Sequence, residues 1–260
     1  MRVTFVALTY APSVGGAQNY VRHVAEGLAA RGHSVQVITT DALRTPGAAV
    51  PGRVEPARET IGGVAVRRFG TRGPLGVLNR IVRRVIARMG IQHRTGRWAR
   101  AITGQLYVPM SVPMAWAVRR AFRTDDVVVG CSAPFLTQVV PPHLRGRARG
   151  AAISVPLLHL ESGPPHGTVA RALRRCDGVT AATTFERSAQ VALGVEPARI
   201  ALLPPGIDPE EFVDVDPPTA RAALGLPERP TVGYLGRLAT YKGVDTLLAA
   251  APLLWEGHED

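Results

Sequence analysis

Cysteine, lysine and acidic charge are scarce in this 260-residue chain. Two cysteines, Cys131 and Cys176, are too few and too isolated for a disulfide framework, a redox pair or a thiolate metal centre. They read as buried, reduced thiols of a cytoplasmic protein. No cluster of ligating side chains stands out, so no metal is expected. The Val3–Leu8 run is too short for the apolar core of a leader, and a helical pattern without a cleavage site follows it, so no secretory signal is expected. The longest uncharged window, Ala101–Val118, contains Gly104, Gln105, Pro109 and Pro113, which argues against a membrane span.

Acidic residues are missing altogether from Thr60 to Thr124, a stretch with thirteen arginines. The net charge of +11 points to an anionic partner: a phosphate substrate, acidic lipid or nucleic acid. Inside this stretch Leu75–Met89 reads as an amphipathic helix. Its apolar positions are Leu75, Leu78, Val82, Val85, Ile86 and Met89, and its charged ones Arg80, Arg83, Arg84 and Arg88. Such a helix fits an anionic membrane surface, reached through residues 67–123, and equally a half-buried helix with a solvated basic face. Nucleic acid is not expected, because no aromatic interleaving or nucleic-acid motif accompanies the arginines.

A hydrophobic content of 46% with 20% charged residues is that of a globular chain. Val3–Thr9 is a continuous apolar run, as in a parallel strand buried on both faces. Gly16 to about Arg31 is a helix, with Ala17, Val21, Val24, Ala25, Leu28 and Ala29 on one face and Gly32 closing it. Ser34–Thr40 is the next strand, so the chain opens with a βαβ unit and a parallel sheet. Ala42–Glu59 reads as a loop and Gly63–Phe69 as a strand. Helix Ser111–Phe122, strand Asp126–Gly130, a short helix and turn at Leu136–Leu144, and strand Ala151–Leu158 follow. Next come helix Val169–Cys176, strand Asp177–Ala181, helix Thr183–Leu193 with Thr184 at its cap and Glu186 in its first turn, and strand Arg199–Leu203. Val213–Pro218 reads as a linker and Thr219–Leu224 as a short helix.

Two places suit a phosphate. The first loop ends Val14-Gly15-Gly16 at a helix N-terminus, where paired glycines let a ligand approach the backbone and the helix adds roughly half a positive charge. A tight strand-to-helix turn explains the same glycines. The dinucleotide fingerprint does not fit: the loop is too long, and only Asp41 stands where an acidic residue would be needed. The second place is Val232–Asp245. Thr231–Leu235 reads as a buried strand, Gly236 as a turn, and Gly243 as the opening of a helix from Val244 to about Trp255. Arg237 and Lys242 lie between them, and two cations five residues apart beside a helix start suit a diphosphate. Lys242 is the only lysine, against 30 arginines, and a compact ammonium is not replaced by a planar guanidinium. A solvated surface charge is the plainer account of it.

The pattern Gly236-Arg237-Leu238, Lys242-Gly243, Asp245, Leu247-Leu248 resembles the start of the C-terminal domain of family-4 retaining glycosyltransferases of the GT-B fold. Ala11-Pro12, Gly15-Gly16-Ala17-Gln18 and Arg31-Gly32-His33 resemble that family's acceptor-side loop and the end of its first long helix. The resemblance implies an α/β fold of GT-B type: a doubly wound N-terminal domain over residues 1–214, then a linker and the first β-α unit of a donor-binding domain over 215–260. It implies that Arg237 and Lys242 hold the donor's diphosphate and that Gly15 and Gly16 lie near acceptor and phosphate. It also implies that His159, at a strand end, contacts the transferred sugar; on the residues alone a hydrogen-bonded structural histidine is the plainer account, and Glu161, a weaker candidate, reads equally as a solvated loop carboxylate. Pro205 departs from the family's asparagine before Gly206. The implied substrates are a nucleotide-diphosphate sugar and a lipid, polyol or glycan acceptor, without metal or other cofactor, with the protein in the cytoplasm or at the inner face of a membrane.

The family's E-x7-E pair, which binds ribose and sugar, does not occur in these 260 residues. The chain is therefore expected to be a truncated form that is not catalytically competent alone. Two other readings stay open: a non-catalytic fragment that binds anionic membrane or a partner through its arginines, and a sugar-nucleotide epimerase of the same fold.

Overall fold

The computed structural model describes residues 1–43, 52–70, 110–158, 160, 167–207, 209–211, 215–236, 238 and 242–255. The expected helix at Leu75–Met89 lies outside them, as do His159, Glu161 and Arg237. The chain forms two compact units, Met1–Gly206 and Ile207–Asp260.

The first unit is built on an eight-stranded sheet. In chain order the strands are β1 (Arg2–Val6), β2 (Ser34–Thr40), β3 (Arg58–Ile61), β4 (Val64–Phe69), β5 (Val127–Cys131), β6 (Ala151–Val155), β7 (Gly178–Ala181) and β8 (Ile200–Leu202). In space they run β3-β4-β2-β1-β5-β6-β7-β8, all parallel except β3 against β4. The connection from β1 leads to β2 on one side, whereas β5 pairs on its other side. The strand order thus reverses at β1/β5, and in such sheets ligands bind beyond the strand C-termini at that point.

Alternation along β1 divides the core. Val3 and Phe5 join Tyr20, Val21 and Ala25 of α1 (Gly16–Ala30). Val6 joins Met114, Val118, Ala121 and Phe122 of α2 (Val112–Thr124) on the opposite face. The continuous apolar run at the N-terminus is thereby explained: both faces of the strand are covered. A third cluster packs Val169, Ala172 and Leu173 of α5 (Gly167–Arg175) against Val179 and Ala181 of β7. Two four-residue helices, α3 (Leu136–Val139) and α4 (Pro141–Leu144), precede β6, and α6 (Thr184–Ala192) follows β7.

Three expectations are corrected. Arg58 and Glu59, expected at the end of a loop, open the strand Arg58–Ile61, because Gly62 and Gly63, with φ of 54° and 77°, close a two-residue hairpin of the kind that needs left-handed backbone at both positions. The cap of α6 is Thr183, not Thr184: the Thr183 side chain accepts from Glu186 N at 3.0 Å. Thr231–Leu235 is not a strand; Val232 is 71% and Leu235 103% exposed. A strand needs a partner for its backbone groups, and the second unit has no paired strand among its described residues. That unit contains α7 (Pro217–Leu224), capped by the Asp216 carboxylate, which accepts from Thr219 N at 3.0 Å, and α8 (Val244–Trp255). Among the described residues no helix is long and apolar enough to cross a membrane.

Cys131 and Cys176 are buried. Burial pushes each thiol up to about 12. At about pH 8 neither should react with dithionitrobenzoate in the folded chain, and both should react once it is denatured. A native-state reaction of one equivalent per chain would contradict this. Since the folded thiols stay protonated while unfolded ones ionise near the ordinary value of 9.0, stability is retained below that pH and declines as pH rises above it.

Candidate functional site

The C-terminal rim of the sheet is braced strand by strand. From β1 the chain runs through Ala7–Gly15 before α1 begins. Leu8 O accepts from both Thr40 N (3.3 Å) and Thr40 Oγ1 (2.6 Å) at the end of β2. The Gln18 amide donates back to Thr9 Oγ1 at 2.7 Å, and Ser13 N donates to Tyr10 O at 3.1 Å. Arg68, on β4, reaches across with Nη2 on Ala11 O at 2.6 Å and Nη1 on Pro56 O at 3.0 Å, and pairs with Glu59. Its side chain is only 1% exposed.

This bracing presents the start of α1 at the switch point. Gly15 is the cap residue, no side chain caps the helix, and no acidic residue lies in the first turn. Among the described residues the first N–H groups of this 15-residue helix therefore have no side-chain acceptor, and the dipole favours an anion there. The space a Cβ would enter at Gly16 is open, whereas at Gly15 it is occupied by the Gln18 carboxamide. Tyr10, in the same loop, is buried with its hydroxyl unpaired among the described residues. Burial, helped by Glu26, pushes its phenol up to about 12, so it stays neutral.

The neighbouring strand exits are joined too. Ser132 and Leu157 are in left-handed backbone, with φ of 65° and 49°, where a side chain is strained. Ser132 N donates to Val155 O at 2.9 Å and Ala133 N to Pro156 O at 2.6 Å, tying the end of β5 to that of β6. The buried Glu186 carboxylate then accepts from Leu158 N at 2.8 Å and from Ala182 N at 2.7 Å, tying β6 to β7. Helix capping, the role the sequence suggests, covers only the local part of what Glu186 does. Glu186→Ala should destabilise the fold by about 2 kcal/mol, since two partly buried N–H groups lose a charged acceptor. Urea unfolding measures this, and a shift near zero would remove Glu186 from the brace.

Of the residues singled out in the sequence, Gly15 and Gly16 lie on this rim. His159 and Arg237 fall outside the described residues, as does Glu161, although Leu158, whose N–H Glu186 holds, directly precedes His159. Lys242 belongs to the second unit, exposed just before α8, with Gly243 at φ 73° and Gly243 O accepting from Leu247 N at 3.0 Å. Arg68 and Glu186 are the residues whose part at the rim sequence reasoning missed. Asp41 is ion-paired with Arg53 at 3.3 Å, which engages the carboxylate that a dinucleotide reading would need. Among the described residues no three His, Cys, Asp or Glu side chains are grouped to hold a metal. The sequence contains one Asp-x-Asp triplet, Asp214-Val215-Asp216, and the Asp216 carboxylate is engaged in capping α7.

A family model described as Glycosyltransferase Family 4 matches residues 14–211. A D-inositol 3-phosphate glycosyltransferase from Mycobacterium sp. (strain JLS) is 42% identical over 74 residues, 28% of this chain and 17% of that protein. A GDP-mannose-dependent alpha-(1-6)-phosphatidylinositol monomannoside mannosyltransferase from Mycobacterium tuberculosis (strain ATCC 25618 / H37Rv) is 36% identical over 138 residues, 49% of this chain and 34% of that protein. The crystal structure of Anabaena Alr3699/HepE in complex with UDP and glucose superposes with a TM-score of 0.60 at 16% identity, covering 96% of this chain and 57% of that one. The likeness to that structure is one of fold. The matches span 17% and 34% of the two mycobacterial proteins and 57% of the solved one.

Proposed function

The chain belongs to the family described as Glycosyltransferase Family 4, and on that footing we propose that it comprises the acceptor-side domain and the start of the donor-binding domain of a GT-B transferase. The reaction moves a sugar from a nucleotide-diphosphate donor to an acceptor hydroxyl with retention. The observation that carries this reading is the uncapped start of α1 at the β1/β5 switch point, held in place by Thr40, Gln18 and Arg68. The donor's phosphate meets the N–H groups after Gly15 and Gly16. Arg237 and Lys242 neutralise the charge that develops on the diphosphate as the glycosidic bond breaks, which is electrostatic catalysis. His159 orients the sugar, and the acceptor hydroxyl attacks from the face the leaving group vacates. No metal is assigned a step. The acceptor is taken to be a polyol or a lipid-linked polyol, by analogy with what the two mycobacterial proteins are named for, with the protein at the cytoplasmic side, on or near a membrane surface. The 260 residues lack the E-x7-E element and are proposed to bind donor without turning it over efficiently.

Hydrogen exchange of the chain with UDP-glucose and with GDP-mannose tests this. Slower exchange of the amides at residues 15–18 with at least one of them is the expected result. Unchanged exchange there with both would overturn the reading.

A further inference from the structure

At the opposite edge of the sheet, four arginines line one concavity of about 450 Å³: Arg119 and Arg123 from α2, and Arg145 and Arg147 from the loop that leads into β6. Among the described residues only Arg145 is paired, its Nη1 lying 2.7 and 2.6 Å from the two oxygens of Asp177, just before β7. The same carboxylate accepts from Ala152 N at 2.8 Å, so it ties the arginine loop to the sheet. At the loop's other end Gly150 N donates to Phe122 O at 3.2 Å. A Cβ at Gly150 would lie 2.8 Å from Asp125 O and 3.0 Å from Phe122 O, so loop and helix end are in close backbone contact. Although burial alone would raise it, the Ala152 N–H and the Arg145 guanidinium hold the Asp177 carboxyl below its ordinary value, and the brace stays charged at neutral pH.

Arg119, Arg123 and Arg147 have no anionic partner among the described residues. With Arg145 and Asp177 cancelling, three positive charges face one concavity on a braced platform. Like charges held together repel, and a guanidinium offers paired donors that match phosphate oxygens. Gly146, at φ 58°, has open space where a Cβ would be, so an anion can approach the loop backbone. We infer that this concavity is a second anion site, for a phosphate or diphosphate group, at the strand N-termini of β5, β6 and β7 and separate from the rim at the strand C-termini. Free phosphate compounds and phospholipid head groups present the same chemistry to it. The inference stands on these residues alone and does not depend on the proposed transferase reaction.

Hydrogen exchange at residues 145–149 reads the site directly. The full chain is measured with inorganic pyrophosphate, with phosphatidylglycerol vesicles and with phosphatidylcholine vesicles. Protection by pyrophosphate assigns a free anion. Protection by phosphatidylglycerol alone assigns a head group. In both cases the double variant Arg123→Glu, Arg147→Glu must abolish the protection, leaving any at residues 15–18 in place. Each single reversal should weaken apparent affinity by roughly tenfold or more, as loss of a charge-assisted contact does. Should the glutamate pair fail to fold, Arg123→Gln with Arg147→Gln, which leaves the Arg145–Asp177 bridge intact, serves instead. No protection by pyrophosphate or by phosphatidylglycerol, equal protection by phosphatidylcholine, or protection that survives the double variant, would overturn the site.

Discussion

Arg68→Met should destabilise the first unit by about 3 kcal/mol, the low end of what breaking a buried ion pair costs. Methionine fills much of the arginine's volume, so the cavity contribution is small. The loss comes from what remains behind: Ala11 O and Pro56 O without a donor, and Glu59 without its cation. Glu59 is 28% exposed and can rehydrate, which keeps the figure at the low end. Arg68→Lys should recover only part, because one ammonium does not reproduce the planar fork that reaches three groups. Denaturant unfolding checks both, with exchange at residues 11–18 as a local readout. A loss below about 1 kcal/mol for Arg68→Met, with exchange unchanged, would show that the first loop does not rely on this guanidinium.

Lys242→Ala carries the largest expected effect on activity. In a polypeptide that continues through an E-x7-E element, turnover should fall by roughly a hundredfold or more, as removal of one donor to developing charge typically does. Lys242 is the chain's single lysine, and Gly243 at φ 73° turns the backbone into α8 directly behind it. Lys242→Arg keeps the charge and changes its shape, so an intermediate loss would separate electrostatics from geometry. Steady-state release of nucleoside diphosphate measures the effect, and near wild-type turnover for the alanine variant would remove Lys242 from the reaction.

Much of the fold is legible because period and burial coincide. The Val3–Thr9 run and the 3.6-residue face of Gly16–Arg31 carry enough signal to define a βαβ unit unaided. The Gly62-Gly63 hairpin escaped the sequence reading although two glycines between Ile61 and Val64 are a turn signal, because the Pro- and Gly-rich stretch before them masked the short strand β3. Glu186 illustrates the other kind of failure. Its position three residues after Thr183 specifies a capping arrangement, and nothing local shows that its oxygens also serve Leu158, 28 residues away.

By itself the sequence determined the alternation of strands and helices, the parallel sheet and the glycines at the start of the first helix. These depend on side chains close together along the chain. Tertiary structure alone decided that Arg68 reaches Ala11 across 57 residues, that one carboxylate joins two strand exits, and that four arginines, two from a helix and two from a loop, share one hollow. It also decided that Thr231–Leu235 is no strand, although its composition favours one. The reason is common to all of them: a hydrogen-bond acceptor, a counter-ion or a neighbouring strand is supplied by distant parts of the chain, and local pattern does not encode which part arrives.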